Sequence, residues 1–123
     1  MSGNLILHVE DNQYNRKIIR DLLSKHNYEI MEAHNGEAAL DALARRRPDL
    51  ILMDIQLPKL SGLEVTRRIR ADPSLAQIPI IAITSFALSG DERTAFEAGC
   101  SAYIAKPFRP RDLLEMIQRF LGP

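Results

Sequence analysis

Five short apolar runs punctuate the chain: LILHV at 5–9, YEIMEA at 28–33, DLILMD at 49–54, PIIAIT at 79–84 and SAYIA at 101–105. Three are nearly continuous in Val, Ile and Leu, the composition of strands covered on both faces. The gaps between them switch to helical spacing. Residues 13–25 put Tyr14, Ile18, Ile19, Leu22 and Leu23 on one helical face, and 36–46 is rich in Ala and Leu and ends before Pro48. Residues 62–71 pair Val65 with Ile69 and stop at Asp72-Pro73. A fourth helix is signalled by a capping box at Ser89-Gly90-Asp91-Glu92 and a stop at Gly99. The fifth, 110–121, carries Leu113, Leu114, Ile117, Phe120 and Leu121 on one stripe, with Pro110 in its first turn. Strand then helix, five times over, predicts an α/β fold with a parallel sheet and right-handed crossovers. No linker or repeat divides the chain, so residues 1–123 read as a single domain. In such sheets ligands and chemistry sit beyond the carboxyl ends of the strands.

Four of those ends carry chemistry. Glu10, Asp11 and Asn12 follow the first strand; Asp54 ends the third; Thr84 and Ser85 end the fourth; Lys106-Pro107 follows the fifth. If these strands are neighbours, three carboxylates, a hydroxyl and an ammonium share one crevice. Carboxylates so close raise one another's pKa values, and a hard divalent cation removes the conflict. Oxygen ligands with room for water suit Mg²⁺. The metal and Lys106 would then hold a phosphoryl group against Asp54, the natural nucleophile on the central strand, with Thr84 bonding a phosphoryl oxygen.

Composition narrows the function classes. Hydrophobic residues make up 46% and charged residues 26%, which suits a globular protein. The 16 basic residues match 16 acidic ones, so the basic excess of a nucleic-acid binder is missing. No run approaches the roughly 20 apolar residues of a membrane span. The single Cys100 cannot form an internal disulfide and suits a reducing compartment. The expected setting is the cytoplasm.

From HVEDN through LILMDIQLPKLSG and IPIIAITSFA to AYIAKPF, the chain resembles a bacterial two-component receiver domain of the CheY-like kind. The resemblance covers essentially the whole sequence and implies a doubly wound (βα)₅ sandwich with strand order 2-1-3-4-5. It implies phosphorylation of Asp54 by a histidine kinase or histidine phosphotransfer protein, with Mg²⁺ held by Glu10, Asp11, Asp54 and the carbonyl of Gln56. It also implies catalytic roles for Thr84 and Lys106, a switch formed by Thr84 and Tyr103, and a cis bond before Pro107. Gln56 and Phe86 would tune the rate, an apolar Phe86 slowing hydrolysis. An effector would bind the face of the fourth helix, fifth strand and fifth helix. Such a domain is a phosphoacceptor and not a conventional enzyme, acting as a monomer or weak dimer.

The chain ends soon after the fifth helix, which suggests a stand-alone regulator; the alternative is a receiver cut from a hybrid kinase or multidomain regulator. A rival class, the aspartyl phosphatases, wants an acid/base Asp two residues after the nucleophile, where Gln56 stands. A nucleotide- or flavin-binding domain wants a phosphate-cradling loop after the first strand, where EDNQYN offers carboxylates. Single residues have blander readings. Asn12 reads as an N-cap, His8 as a satisfied and partly buried strand residue, His26 and His34 as surface positions, and Cys100 as a small buried hydrophobe. Arg45, Arg46 and Arg47 help end a helix, while Arg67, Arg68 and Arg70 read as a solvated face. Arg109 is a poor N-cap.

Overall fold

The computed structural model describes residues 4–85 and 91–122, without the side chain of Asp91. Elements alternate as expected: β1 (Leu5–Val9), α1 (Gln13–Ser24), β2 (Glu29–Ala33), α2 (Gly36–Arg45), β3 (Leu50–Asp54), α3 (Gly62–Ala71), β4 (Ile80–Thr84), α4 (Asp91–Ala98), β5 (Ala102–Ala105) and α5 (Pro110–Leu121). Boundaries differ from the sequence reading by a residue or two. The capping box before α4 lies partly outside the described residues. All strand pairings are parallel and the order is β2-β1-β3-β4-β5. The (βα)₅ doubly wound sheet is therefore the fold.

Strand alternation divides the core in two. Leu7, Val9, Ile51, Met53, Ile80 and Ala82 face one side, where Ala39 and Leu43 of α2, Val65 and Ile69 of α3 and Ala95 of α4 cover them. Ile6, Leu50, Leu52, Ile81 and Ile83 face the other, under Ile19 and Leu23 of α1 and Leu113 and Ile117 of α5. Helices on both faces explain why the central strands are unbroken apolar runs. The helix starts are locally encoded. Asn12, Asn35 and Ser61 each accept a hydrogen bond from the backbone N–H three residues on. Arg109 makes no side-chain cap bond, and Pro110 opens the helix in its place.

One helical face is only partly covered, and one surface reading needs correction. On α1 the apolar set splits: Ile19 and Leu23 are buried, but Tyr14 is 71% exposed and Ile18 62%. The apolar stripe is wider than the surface the sheet offers. Arg70 is not part of a solvated face with Arg67 and Arg68. It turns back and donates to the carbonyl oxygens of Gly99, Ala76 and Ile78 and to Ser101 Oγ, at 2.7–3.2 Å. The bonds to Gly99 and Ser101 tie the end of α3 to the turn between α4 and β5, where Gly99 adopts a φ of +116°, and those to Ala76 and Ile78 hold the loop that leads into β4.

Gly62 is a position whose need for glycine only the packing reveals. A Cβ there would overlap the carbonyl oxygen of Asp54 and come within 2.7 Å of Ile55 Cα. The start of α3 thus rests directly on the backbone that ends β3. Gly62→Ala is expected to destabilise the fold by about 1–3 kcal/mol, because backbone must shift to admit a methyl group. Urea unfolding would measure it, and an unchanged midpoint would contradict the close approach.

Candidate functional site

At the carboxyl edge of the sheet, β1 and β3 lie side by side with Val9 opposite Met53. The residues that follow each strand therefore come together. One carboxylate oxygen from each of Glu10, Asp11 and Asp54 lies within 4.8 Å of the others. Glu10 is 2% exposed and Asp54 6%, whereas Asp11 faces solvent. The buried acids are held by specific donors. Asp54 Oδ1 accepts the Gln56 N–H at 2.8 Å. Glu10 Oε2 accepts the Asn12 N–H at 3.1 Å, and Lys106 Nζ donates to Glu10 Oε1 at 3.1 Å. Arg16 on α1 donates to the main-chain oxygen of Glu10 at 2.8 Å. That contact was not legible in the sequence, since nothing in its helical spacing distinguishes Arg16 from the other basic residues of α1.

The electrostatics follow from this burial. The Asp54 carboxyl is pushed up to about 6, chiefly by burial; Glu10 and Asp11 also raise it, while the Gln56 N–H and Lys106 pull it down. Holding Asp54 ionised in the folded chain costs on the order of 3 kcal/mol relative to open water. At neutral pH it is still mainly the carboxylate, the form that can act as a nucleophile. The donor set fits a hard divalent cation: three clustered carboxylates, with no thiolate or imidazole among them. Asp11 is the solvent-facing member. Both Glu10 oxygens already accept hydrogen bonds, so direct coordination by Glu10 would compete with Lys106 and the Asn12 N–H.

The other predicted site residues are placed as follows. Thr84 is fully buried at the end of β4, opposite Ala105 on β5. Tyr103 is half-buried on β5, opposite Ala82, and packs against the α2–α3–α4 side of the core. The Gln56 side chain accepts the Ser85 N–H at 3.0 Å, bridging the ends of β3 and β4. The Lys106–Pro107 bond is cis. Phe86 lies outside the described residues.

His8 departs from its reading as a satisfied, partly buried residue. It is 1% exposed, and its Nδ1 has no hydrogen-bond partner. Burial first, then the Lys106 and Arg16 charges, hold its pKa down at about 3, so the ring is neutral. Cys100 is buried against Thr66, as a small hydrophobe would be.

A five-stranded parallel sheet in this order, with an acidic cluster and a Lys at its carboxyl edge, defines a CheY-like receiver. The profile of the response regulator receiver domain matches residues 6–118, and the chain belongs to that family. It is 49% identical over 117 residues to the polar-differentiation response regulator DivK of Brucella anthropi, covering 95% of each chain. Among solved structures, it is 40% identical to the receiver domain of a sensor histidine kinase from Pseudomonas aeruginosa PAO1 with a magnesium ion coordinated in its active site cleft. The TM-score is 0.90, with 98% of this chain and 99% of that one covered. The BeF₃-activated receiver domain of Klebsiella pneumoniae RstA is 32% identical at a TM-score of 0.90, with 98% and 100% covered.

The depressed His8 pKa fixes the sign of a pH effect. The unfolded ring takes up its proton near 6.5 and the folded ring only near 3. Stability is therefore lost as pH falls through that window, because the unfolded chain binds the extra proton. Asp54 works the other way between its folded value of about 6 and the unfolded 3.8. Comparing His8→Val with the parent isolates the His8 contribution. The parent should lose about 2 kcal/mol more than the variant between pH 7 and pH 5, read by urea unfolding in metal-free buffer. Equal losses would mean that His8 is solvated in the fold.

Proposed function

We propose that this chain is the phosphoacceptor of a two-component phosphorelay, with Asp54 taking a phosphoryl group from a partner phosphohistidine. The observation that carries the reading is the convergence of Glu10, Asp11 and Asp54 within 4.8 Å, with Lys106 3.1 Å from Glu10. In the transfer, an Asp54 carboxylate oxygen attacks phosphorus. The P–N bond to the partner imidazole breaks as the P–O bond forms, and the ring departs with the electron pair. Mg²⁺ held by Asp11, Asp54 and the Gln56 carbonyl, with Glu10 alongside, would offset the negative charge gathered in the pocket. The Gln56 N–H fixes one Asp54 oxygen and so orients the carboxylate. Lys106 exchanges its bond to Glu10 for one to the phosphoryl oxygens.

The product adds roughly −1.5 to −2 charge and new acceptor oxygens to the edge of the sheet. Thr84 moves toward those oxygens and Tyr103 fills the space it leaves, altering the α4–β5–α5 face that an effector reads. Support for this switch is the adjacency of β4 and β5, which sets Tyr103 beside the strand that ends in Thr84. The exposed Tyr14 and Ile18 make the α1 surface beside the acids the dock for the histidine kinase or phosphotransfer protein. Among the described residues no helix is long and apolar enough to cross a membrane. The reading takes the protein as cytoplasmic, with protein partners and no nucleic acid.

The 95% coverage of DivK favours a stand-alone DivK-like regulator. The likeness to a receiver of a sensor histidine kinase supports the second reading, a receiver portion of a hybrid kinase.

Incubation with acetyl phosphate and Mg²⁺, followed by intact mass, tests the chemistry. A single phosphoryl adduct is expected in the parent, lost in Asp54→Asn and after chelation of the metal, and reduced at least tenfold in rate in Lys106→Met. An adduct that survives Asp54→Asn would overturn the assignment.

A further inference from the structure

Arg16 is the fourth residue of α1. A cation there lies near the positive end of the helix dipole, where the peptide groups disfavour it. No acidic residue in the first turn of α1 offsets the charge. The side chain is nonetheless drawn inward, only 20% exposed, and it joins two strands. Its Nη1 donates to the main-chain oxygen of Glu10 at 2.8 Å, and its Nε lies 3.6 Å from Glu32 Oε1 on β2. Glu32 is itself fixed by Arg20, whose Nη1 donates to both of its oxygens at 2.8 and 3.1 Å.

The bond to Glu10 reaches Asp11 through the peptide plane. The Glu10 oxygen and the Asp11 nitrogen belong to one rigid planar unit, so holding the oxygen sets the direction in which Asp11 leaves the end of β1. The rest of the loop is pinned as well. The Glu10 N–H donates to the Ala33 oxygen at 3.0 Å, the Asn12 N–H to Glu10 Oε2 at 3.1 Å, and the Arg16 N–H to the Asn12 oxygen at 3.0 Å. Asp11 is the exposed member of the three clustered acids, so its carboxylate is placed by its backbone more than by packing.

We propose that Arg16 is a positioning residue for the cation site: its guanidinium fixes the Glu10–Asp11 peptide and so holds the Asp11 carboxylate beside Asp54. This rests on the reading of the acidic cluster as a Mg²⁺ site for phosphoryl transfer. A guanidinium suits the task because its planar fork serves a carbonyl and a carboxylate in one fixed geometry, which a flexible ammonium does not provide. The charge of Arg16 by itself acts the other way. A cation beside the acids repels Mg²⁺, so a guanidinium that contributed charge alone would weaken metal binding. The two roles predict opposite signs when Arg16 is replaced.

Mg²⁺ titration of the full chain, followed by ¹H–¹⁵N NMR with no phosphodonor present, reads that sign. Arg16→Met, and Arg16→Lys, which keeps the charge, should each bind Mg²⁺ about tenfold more weakly than the parent, as expected on removing a group that orients a metal ligand. In metal-free buffer the Asp11 amide ¹⁵N, which shares a peptide with the Glu10 oxygen, should shift in both variants. Lys17→Met removes an exposed charge from the same helix, one paired with Asp21, and should leave the affinity nearly unchanged. Parental or tighter Mg²⁺ binding in Arg16→Met, parental affinity in Arg16→Lys, or an unmoved Asp11 resonance overturns the positioning role. Arg16→Lys decides the matter if Arg16→Met fails to fold. A parent without a saturable Mg²⁺ shift overturns the cation site and this role with it. The acetyl phosphate adduct tests the phosphoacceptor reading separately, so a parent that is phosphorylated while both variants keep its Mg²⁺ affinity sinks the role of Arg16 alone.

Discussion

Everything at this site follows from taking two carboxylates out of water at the edge of an apolar sheet. Glu10 and Asp54 are nearly inaccessible, and Asp11 lies within 4.8 Å of both. Uncompensated, such a group would be among the more expensive features a domain of this size could carry. The chain compensates in part. Lys106 arrives from β5 to meet Glu10, and the backbone N–H groups of Asn12 and Gln56 each satisfy one oxygen. The compensation stops short, and Asp54 keeps a raised pKa of about 6. A site left electrostatically short of positive charge is one that a cation stabilises when it binds.

The sheet makes that arrangement rigid. Strands buried on both faces bring β1, β3, β4 and β5 side by side in fixed register, so residues distant in sequence meet within a few ångströms. The helices are attached as closely. Gly62 lets α3 rest on the backbone of Asp54 and Ile55. Arg16 reaches from α1 to the main-chain oxygen of Glu10, and its guanidinium lies 3.6 Å from Glu32 on β2. On the far side of the molecule Arg70 joins the end of α3 to the turn before β5. These contacts link the acidic loop, the central strand and the α4–β5 region.

The two faces of the sheet are finished differently. Over β1, β3 and β4, helices α2, α3 and α4 enclose a continuous core that includes Cys100 and half of Tyr103. On the opposite face α1 and α5 leave a groove at the end nearest the acids, with a neutral imidazole in its wall and the apolar Ile18 at its rim. Of the exposed apolar side chains of α1, Ile18 borders this groove. Glu10 lines this groove and also belongs to the acidic cluster, with Lys106 paired to it.

The order of elements, the parallel sheet and the chemistry waiting at the strand ends could be read from the residues, because runs such as DLILMD and PIIAIT encode burial on both faces locally. Helix starts at Asn12, Asn35 and Ser61 are local as well, being hydrogen bonds across three residues. What the chain alone did not determine depends on groups brought together from different elements. Periodicity gave Tyr14 and Ile18 the same standing as Ile19 and Leu23, and only the limited width of the sheet face decided which were covered. Arg70 looked like its exposed neighbours until the loop after α3 and the turn before β5 brought four acceptors around it. His8 looked satisfied, and only the packing of α1 and α5 over β1 removed water from its Nδ1 without supplying a partner. Burial and long-range polar pairing are properties of the assembled surface, so they became definite only when the tertiary structure closed around these side chains.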